Sequence, residues 1–182
     1  AGSGSIVERA MGVVRLNVPT YEEIEHDNSA TTQAAIVVGV VAVASGIGAL
    51  GSDEGNAIVQ FLFGIVSAFI GWILFAWLAH LVGTRLIPGE NTSADLGQVL
   101  RTLGFAQAPN VLAIFGIIGA LGGIIAFVGS IWALVCAVIA LRQALDMSTG
   151  RAIGVAVISF VIVLVVIVVI AIPLGIGAAI AS

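Results

Sequence analysis

The chain has no lysine and little charge of any kind. Only 9% of its 182 residues are charged, and its six basic residues are all arginines. With a net charge of −4 it offers no basic surface for a phosphate backbone, so we exclude nucleic acid as a partner. A soluble domain is also excluded, because a chain of this length could not bury a composition that is 60% hydrophobic.

Cysteine is almost absent as well. The single Cys136 lies in an apolar run, where it can neither form an internal disulfide nor assemble a metal site. The motifs of nucleophilic hydrolases, zinc proteases, P-loop proteins and dinucleotide-binding folds are missing too. We therefore predict a protein that is not an enzyme and has no catalytic residues, metal or cofactor.

Long apolar runs make up most of the remaining sequence. Each is long enough to cross the roughly 30 Å hydrocarbon core of a bilayer. We predict an all-α, multi-pass protein of the cell (inner or plasma) membrane, with five transmembrane helices in contact with the lipid bilayer. The predicted spans are residues 32–50, 57–87, 96–118, 122–144 and 151–178.

The arginines decide both the topology and the number of spans, because short cytoplasmic segments retain basic residues. If residues 108–141 formed one helix, the last arginine pair would lie on the translocated side. Two helices hinged within residues 116–123 place all three pairs in the cytoplasm. The N-terminus is then cytoplasmic and the C-terminus lies on the other side. The topology-determining pairs are Arg9 and Arg15, Arg85 and Arg101, and Arg142 and Arg151.

The chain divides into three parts. We interpret residues 1–5 as a flexible linker or cloning scar, because they contain only glycine, serine and alanine. Residues 6–31 form a cytoplasmic segment that is amphipathic at first and then acidic. Residues 32–182 contain the five spans.

Two short helices are predicted in the cytoplasmic segment. The first, residues 6–16, has the apolar and charged pattern of a helix that lies in the membrane interface, and Pro19 ends it. Thr20 and Glu23 match a capping box that opens a second, acidic helix extending to about Asp27. The residues predicted to dock a partner are Tyr21, Glu22, Glu23 and Ile24.

His80 and Arg101 are ionisable residues inside predicted spans that need a partner. His80, near the cytoplasmic end of the second span, is a functional candidate by default, and a hydrogen bond to a neighbouring helix is the alternative role. Arg101 lies one to two turns inside the third span, where it must snorkel or find a carboxylate. Asp95 and Glu90 are the nearest acids in the sequence.

Gln107 and Asn110 flank Pro109 in the third span. Proline frees a backbone carbonyl about four residues back, and broken helices of this type line substrate sites in transporters. A kink satisfied by helix packing is the alternative. A hydrogen bond between His80 and these amides is also considered, because all three lie toward the cytoplasmic half. Pro173 is predicted to kink the last span.

Local patterns predict a helix cap and several helix contacts. Thr92 or Ser93 is expected to cap the helix of the third span. Small residues four positions apart permit close contact between spans. Such pairs are Gly64/Ala68, Gly116/Ala120, Gly119/Gly123, Gly150/Gly154 and Gly175/Ala179.

Three segments resemble the Yip (Ypt-interacting protein) domain family in its prokaryotic form. They are residues 8–24, 100–109 (LRTLGFAQAP) and 140–152. The resemblance covers nearly the whole chain after the first residues. It implies five spans and a cytoplasmic N-terminus. Eukaryotic relatives are implicated in vesicle traffic and in binding Rab-type GTPases through their N-terminal region. The corresponding region here has only about thirty residues, so the resemblance does not require a Rab partner.

Together these patterns favour a non-enzymatic membrane scaffold or adaptor whose N-terminal segment docks a partner. We expect that partner to be a second copy in a homo-oligomer or another membrane protein. One alternative is a small transporter, channel or lipid-handling protein with a site around His80, Gln107 and Asn110. The other is an accessory subunit of a larger membrane complex.

Overall fold

The computed structural model describes residues 4–50, 57–90, 92 and 94–181, with backbone only at residues 57 and 170–181. Its two short N-terminal helices are α1 (Ile6–Val14) and α2 (Val18–His26), and its long helices are α3 (Ala30–Ala49), α4 (Ala57–Leu81), α5 (Leu96–Ala106), α6 (Ala120–Ala144) and α7 (Thr149–Ala181). A π-helical turn, Val82–Leu86, continues α4, and a 3₁₀ helix, Ala108–Ile118, continues α5. The described residues contain no β-strand.

Five helical stretches are long and apolar enough to cross a membrane. They are Ala30–Ala49, Ile58–Leu86, Leu96–Ile118, Ala120–Ala144 and Thr149–Val169. Large apolar side chains such as Phe63 and Phe160 are exposed along them, as expected of surfaces that face lipid. The predicted all-α, multi-pass membrane fold is therefore confirmed.

The spans alternate in direction, so the connections from α4 to α5 and from α6 to α7 lie at the same end of the bundle. We call it the arginine end, because it holds Arg85, Arg101, Arg142 and Arg151. Both N-terminal helices pack against α5 and α6, α2 at the arginine end and α1 toward the middle of α6. Their apolar side chains join the buried core, which includes Val13, Tyr21, Ile24, Val99, Phe105, Cys136, Leu141 and Leu145.

Capping boxes open α1 and α5. Ser5 accepts a hydrogen bond from the Glu8 backbone, and the Glu8 carboxylate accepts one from the Ser5 backbone. Ser5, which the sequence assigned to the linker, therefore begins the fold. Asp95 and Gln98 form the same reciprocal pair at α5.

The cap predicted for α5 at Thr92 or Ser93 is thus wrong at Thr92, and Ser93 lies outside the described residues. The hydroxyl of Thr92 accepts a hydrogen bond from the Gly89 amide and donates one to the Leu145 carbonyl. It therefore joins the α4–α5 connection to the end of α6.

The capping box predicted at Thr20 and Glu23 is also wrong, because α2 begins earlier, at Val18. Pro19 lies in the first turn of α2, where its missing N–H leaves no hydrogen bond unmade. What ends α1 is a Schellman motif centred on Leu16, whose φ is 57°. The Asn17 amide donates to the Gly12 carbonyl at 2.9 Å and thereby closes the helix.

Pro109 changes the helix type of the third span. Because proline has no N–H and its ring clashes with the preceding turn, the chain leaves the α-helix and continues as a 3₁₀ helix. At about 2.0 Å per residue, these eleven residues extend about 22 Å. The segment ends at Gly119, whose φ of 72° favours glycine, and α6 returns from there. This is the hinge that the arginine pairs predicted. In the last span, α7 continues through Pro173 to Ala181.

Candidate functional site

Arg9 joins the first three helices. Its side chain is only 1% exposed, and it donates to Glu23 at 2.8 Å, to Asp27 at 2.6 Å and to Gln33 at 2.9 Å. Each of its partners is an acceptor, which satisfies a guanidinium that cannot lose its charge. Hydrogen bonds from the Ser29 hydroxyl and from Arg9 lower the pKa of Asp27 to about 2. The Arg9–Asp27 ion pair thus remains charged at any physiological pH.

Arg101 of α5 also holds the C-terminal end of α2. It is 4% exposed and donates to the backbone carbonyl of Glu25 at 2.5 Å and to the Asn28 side chain at 3.0 Å. The last carbonyls of a helix lack intrahelical partners and carry the negative end of its dipole, so a buried cation is favourable there. The expected carboxylate partners, Asp95 and Glu90, are not used.

The carbonyls at the end of α1 are satisfied by two aromatic side chains. The Tyr21 hydroxyl donates to the Val13 carbonyl at 3.0 Å, and the Trp132 indole donates to the Val14 carbonyl at 2.8 Å. Tyr21 is fully buried, and this burial is the main reason that its pKa is raised, so the phenol remains a neutral donor. The Cys136 thiol, also buried, lies 3.6 Å from the same Val13 carbonyl. These contacts fix α1 and α2 to the middle of α6.

Two of the four residues predicted to dock a partner are buried. Tyr21 and Ile24 have no exposed surface, so neither side chain is available to a partner. The docking prediction is wrong for these two residues, because they are the apolar residues of an acidic helix and pack into the bundle. What remains exposed is a surface that we call the α2 outer face, formed by Glu22, Glu23 and His26.

Glu25 lies behind the α2 outer face. Its side chain is buried, and one carboxylate oxygen accepts a hydrogen bond from Gln98 at 3.0 Å. Burial raises the pKa of Glu25, and the nearby acids Asp146 and Glu22 raise it further. The inner side of α2 thus carries an acid that is disfavoured in its charged form.

His80 contacts the connection between α4 and α5. Its Nε2 atom lies 3.1 Å from the carbonyl oxygen of Ala94, in the connection that leads to α5. The hydroxyl of Thr84 donates to the His80 carbonyl at 2.7 Å, where α4 changes to its π-helical turn. No hydrogen bond joins His80 to Gln107 or Asn110, so the three residues do not form the single site considered from the sequence.

Gln107 and Asn110 do come together. The Asn110 amide donates to the Gln107 side-chain oxygen at 2.7 Å, across the turn that contains Pro109. Both residues line two adjoining cavities of about 650 and 580 Å³, which also share Trp72 and Ser130. The amide pair therefore lies where the two cavities meet.

Several residues in these contacts carried no signal in the sequence. Glu25 binds Arg101 through its backbone carbonyl and Asn28 binds it through its side-chain amide, and no motif marks either residue. Gln33 lies at the start of an apolar run. No motif marks Trp72 either, although a buried indole N–H usually needs an acceptor. Its indole donates to the Leu100 carbonyl at 3.0 Å.

Among the described residues, no group of three or more His, Cys, Asp and Glu side chains is arranged to hold a metal ion. The Yip1 domain family model matches residues 11–170, a range that includes α2, both cavities and most of the described α7. No curated protein and no solved structure matches the chain.

Proposed function

Because the chain belongs to the Yip1 domain family, we propose that it is a non-enzymatic membrane scaffold that docks another protein through the α2 outer face. The observation that carries this proposal is the fixation of α2 by two buried arginines. Arg9 holds Glu23 and Asp27, and Arg101 caps the Glu25 carbonyl. A docking surface held in this way is preorganised, so less conformational entropy is lost when a partner binds.

The chemistry of the α2 outer face indicates a basic partner. Glu22 and Glu23 are exposed there, and Asp146 lies close enough to raise the pKa of the Glu25 carboxyl behind them. Acidic surfaces attract complementary basic segments and steer their association. We therefore infer a partner that presents lysine or arginine residues to α2, in preference to a second copy of this chain.

The proposal places the arginine end in the cytoplasm of a cell whose inner or plasma membrane holds the protein. All six arginines are supplied by α1 or by the arginine end of the spans, which supports the positive-inside orientation. Two variants test this orientation in a Cys136→Ala background. Glu22→Cys places a single cysteine on α2, and Leu121→Cys places one at the opposite end of the bundle. An impermeant maleimide is expected to label only position 121 in intact cells, and the reverse pattern would invert the topology.

The docking itself is tested with a photo-crosslinking amino acid at position 26, in native membranes. Adducts are expected with a different protein, through a Lys- or Arg-rich peptide identified by mass spectrometry, and Glu22→Lys should remove them. Glu90→Lys makes the same charge change on an exposed residue of the α4–α5 connection and should leave them. Adducts with a second copy only, or adducts that survive Glu22→Lys, would contradict the proposal.

A second candidate function, the handling of a small molecule or lipid, is favoured by the two cavities at Gln107 and Asn110. It does not depend on the α2 outer face. Both functions could belong to one protein, because the cavities lie among the spans and the docking surface lies outside them.

A further inference from the structure

The amide pair is partly buried and lies within the third span. Gln107 follows the eleven residues of α5, which place it about 16 Å from the start of that helix at 1.5 Å per residue. The 3₁₀ helix then extends about 22 Å farther toward the opposite end. Gln107 and Asn110 therefore lie near the middle of the third span, away from both of its ends.

The pair is only half satisfied by itself. One amide hydrogen of Asn110 is donated to the Gln107 side-chain oxygen. Within the part of the chain that the structure describes, the Gln107 amide group and the Asn110 side-chain oxygen have no other hydrogen-bond partner. Leaving such groups unpaired in an apolar medium is unfavourable. Three N–H hydrogens, two on Gln107 and one on Asn110, and the Asn110 oxygen thus remain for a ligand, and hydrocarbon alone cannot satisfy them.

The cavities have the size and chemistry of a ligand site. Volumes of about 650 and 580 Å³ fall within the range typical of small-molecule pockets. Ser45 and Ser67 add hydroxyl groups to the larger cavity, and Phe75 and Phe160 add aromatic surface to the smaller. Neither lining contains a charged side chain. A phosphate or ammonium group would therefore enter without a counter-charge, at a high desolvation cost.

The smaller cavity reaches the lipid-facing surface. Leu134 on α6 and Ile153, Val157 and Phe160 on α7 line it, and each of these side chains is exposed on the outside of the bundle. The part of the lining formed by α6 and α7 thus faces the acyl chains of the bilayer. A molecule that is already dissolved in the membrane can enter there without crossing water.

We propose that the two cavities bind a neutral lipid that carries a hydroxyl or carbonyl group, of the diacylglycerol type. Its polar group hydrogen-bonds to Gln107 and Asn110, and its chains extend past Phe160 between α6 and α7. A phospholipid is excluded as the ligand by the absence of charge in the lining. The site is independent of the α2 outer face.

The experiment uses the full chain in phosphatidylcholine nanodiscs with two photoactivatable probes, a diazirine diacylglycerol and a diazirine phosphatidylcholine. The diacylglycerol probe is expected to label residues of α6 and α7 that line the smaller cavity, and unlabelled diacylglycerol should compete. The double variant Gln107→Leu/Asn110→Leu should lower this labelling about tenfold, which corresponds to about 1.4 kcal/mol of binding free energy. Because it removes both partners of one hydrogen bond, it should fold normally.

Two further variants keep the test decisive. Gln143→Leu removes an amide at the arginine end, outside both cavities, and should leave the labelling unchanged. Ala137→Phe fills the smaller cavity with the amides intact and should abolish labelling even if the double variant is unstable. Equal labelling of the double variant with an unchanged Tm would overturn the proposal. So would equal labelling of these positions by the phosphatidylcholine probe, because that pattern describes annular lipid.

Discussion

The guanidinium of Arg101 lies 2.5 Å from the backbone carbonyl oxygen of Glu25, a residue 76 positions earlier in the chain. This contact joins the third span to the end of α2 and replaces water as the partner of a helix-terminal carbonyl. Arg9 makes the equivalent connection among α1, α2 and α3. Two of the six arginines therefore hold the N-terminal helices on the bundle, besides any part they have in setting topology.

Replacing Arg101 is expected to release α2. Arg101→Met keeps the apolar stem but removes the donors to Glu25 and Asn28, which should cost about 2 kcal/mol, the range of hydrogen bonds to charged groups. The measurements are the Tm in detergent and the rate of proteolysis between α2 and α3. Arg151→Met removes the same charge from an exposed residue and should change the free energy of unfolding by less than about 0.5 kcal/mol. Equal effects of the two variants would contradict the structural role.

The buried carboxyl of Glu25 should make stability depend on pH. Because its pKa is raised in the folded protein, the unfolded chain releases this proton first as the pH rises above about 4.5. The contribution of the neutral form is therefore present at low pH and is lost as the pH rises through the folded pKa. Glu25→Gln keeps an acceptor for Gln98 and removes this loss.

The expected result is a Tm difference between Glu25→Gln and the native chain that grows in favour of the variant from pH 4.5 to pH 8. Taking the Tm difference at each pH cancels the contributions of the other acids to stability. These include Asp27, whose lowered pKa of about 2 affects stability only below this pH range. Glu90→Gln controls for the loss of one negative charge. A difference that stays constant or reverses over this range would show that burial does not disfavour the Glu25 carboxylate.

Hydropathy and the arginines were enough to predict the spans, because membrane insertion depends on length and on the distribution of charge along the chain. The partner of Arg101 was not predictable in the same way. Its main acceptor is a backbone carbonyl, which every residue has, and only the packing of α2 selects the one at Glu25. The sequence therefore favoured nearby acids, and neither Asp95 nor Glu90 pairs with it.

The N-cap of α5 shows a second limit of prediction from the sequence. Thr92, Ser93 and Asp95 lie within four residues, and each is a good N-cap residue, so the local pattern does not choose among them. The choice of Asp95 follows from the capping box with Gln98 and from the separate use of Thr92 to bind the Leu145 carbonyl. That last contact joins residues 53 positions apart and leaves no trace in the local sequence.

Cys136 should report whether the N-terminal helices are docked. Its thiol is buried beneath the Tyr21–Val13 hydrogen bond, so it reacts only when α1 and α2 open locally. Tyr21→Phe removes a hydrogen bond of about 1 kcal/mol and should speed maleimide labelling about fivefold. Arg15→Gln changes an exposed residue after α1 and should leave the rate unchanged. If Tyr21→Phe and the native chain react equally, the hydroxyl does not hold the helices in place.

The two glycines Gly48 and Gly64 should respond oppositely to alanine, although each lies in a small-residue face of an apolar helix. A Cβ atom at Gly48 would meet the backbone carbonyl of Ala113, because α3 and the 3₁₀ helix pack backbone to backbone there. Overpacking of this kind costs about 1–3 kcal/mol, since backbone cannot move aside as a flexible side chain can.

Gly64, which the spacing rule marked as a helix contact, has no neighbour within 4 Å of such an atom. Gly64→Ala should therefore leave stability unchanged or raise it by about 0.5–1 kcal/mol through helix propensity. Thermal unfolding of both variants in one detergent compares them directly. If Gly64→Ala is the more damaging of the two, its face of α4 packs against another chain in the membrane, and the spacing rule was correct for a contact between molecules.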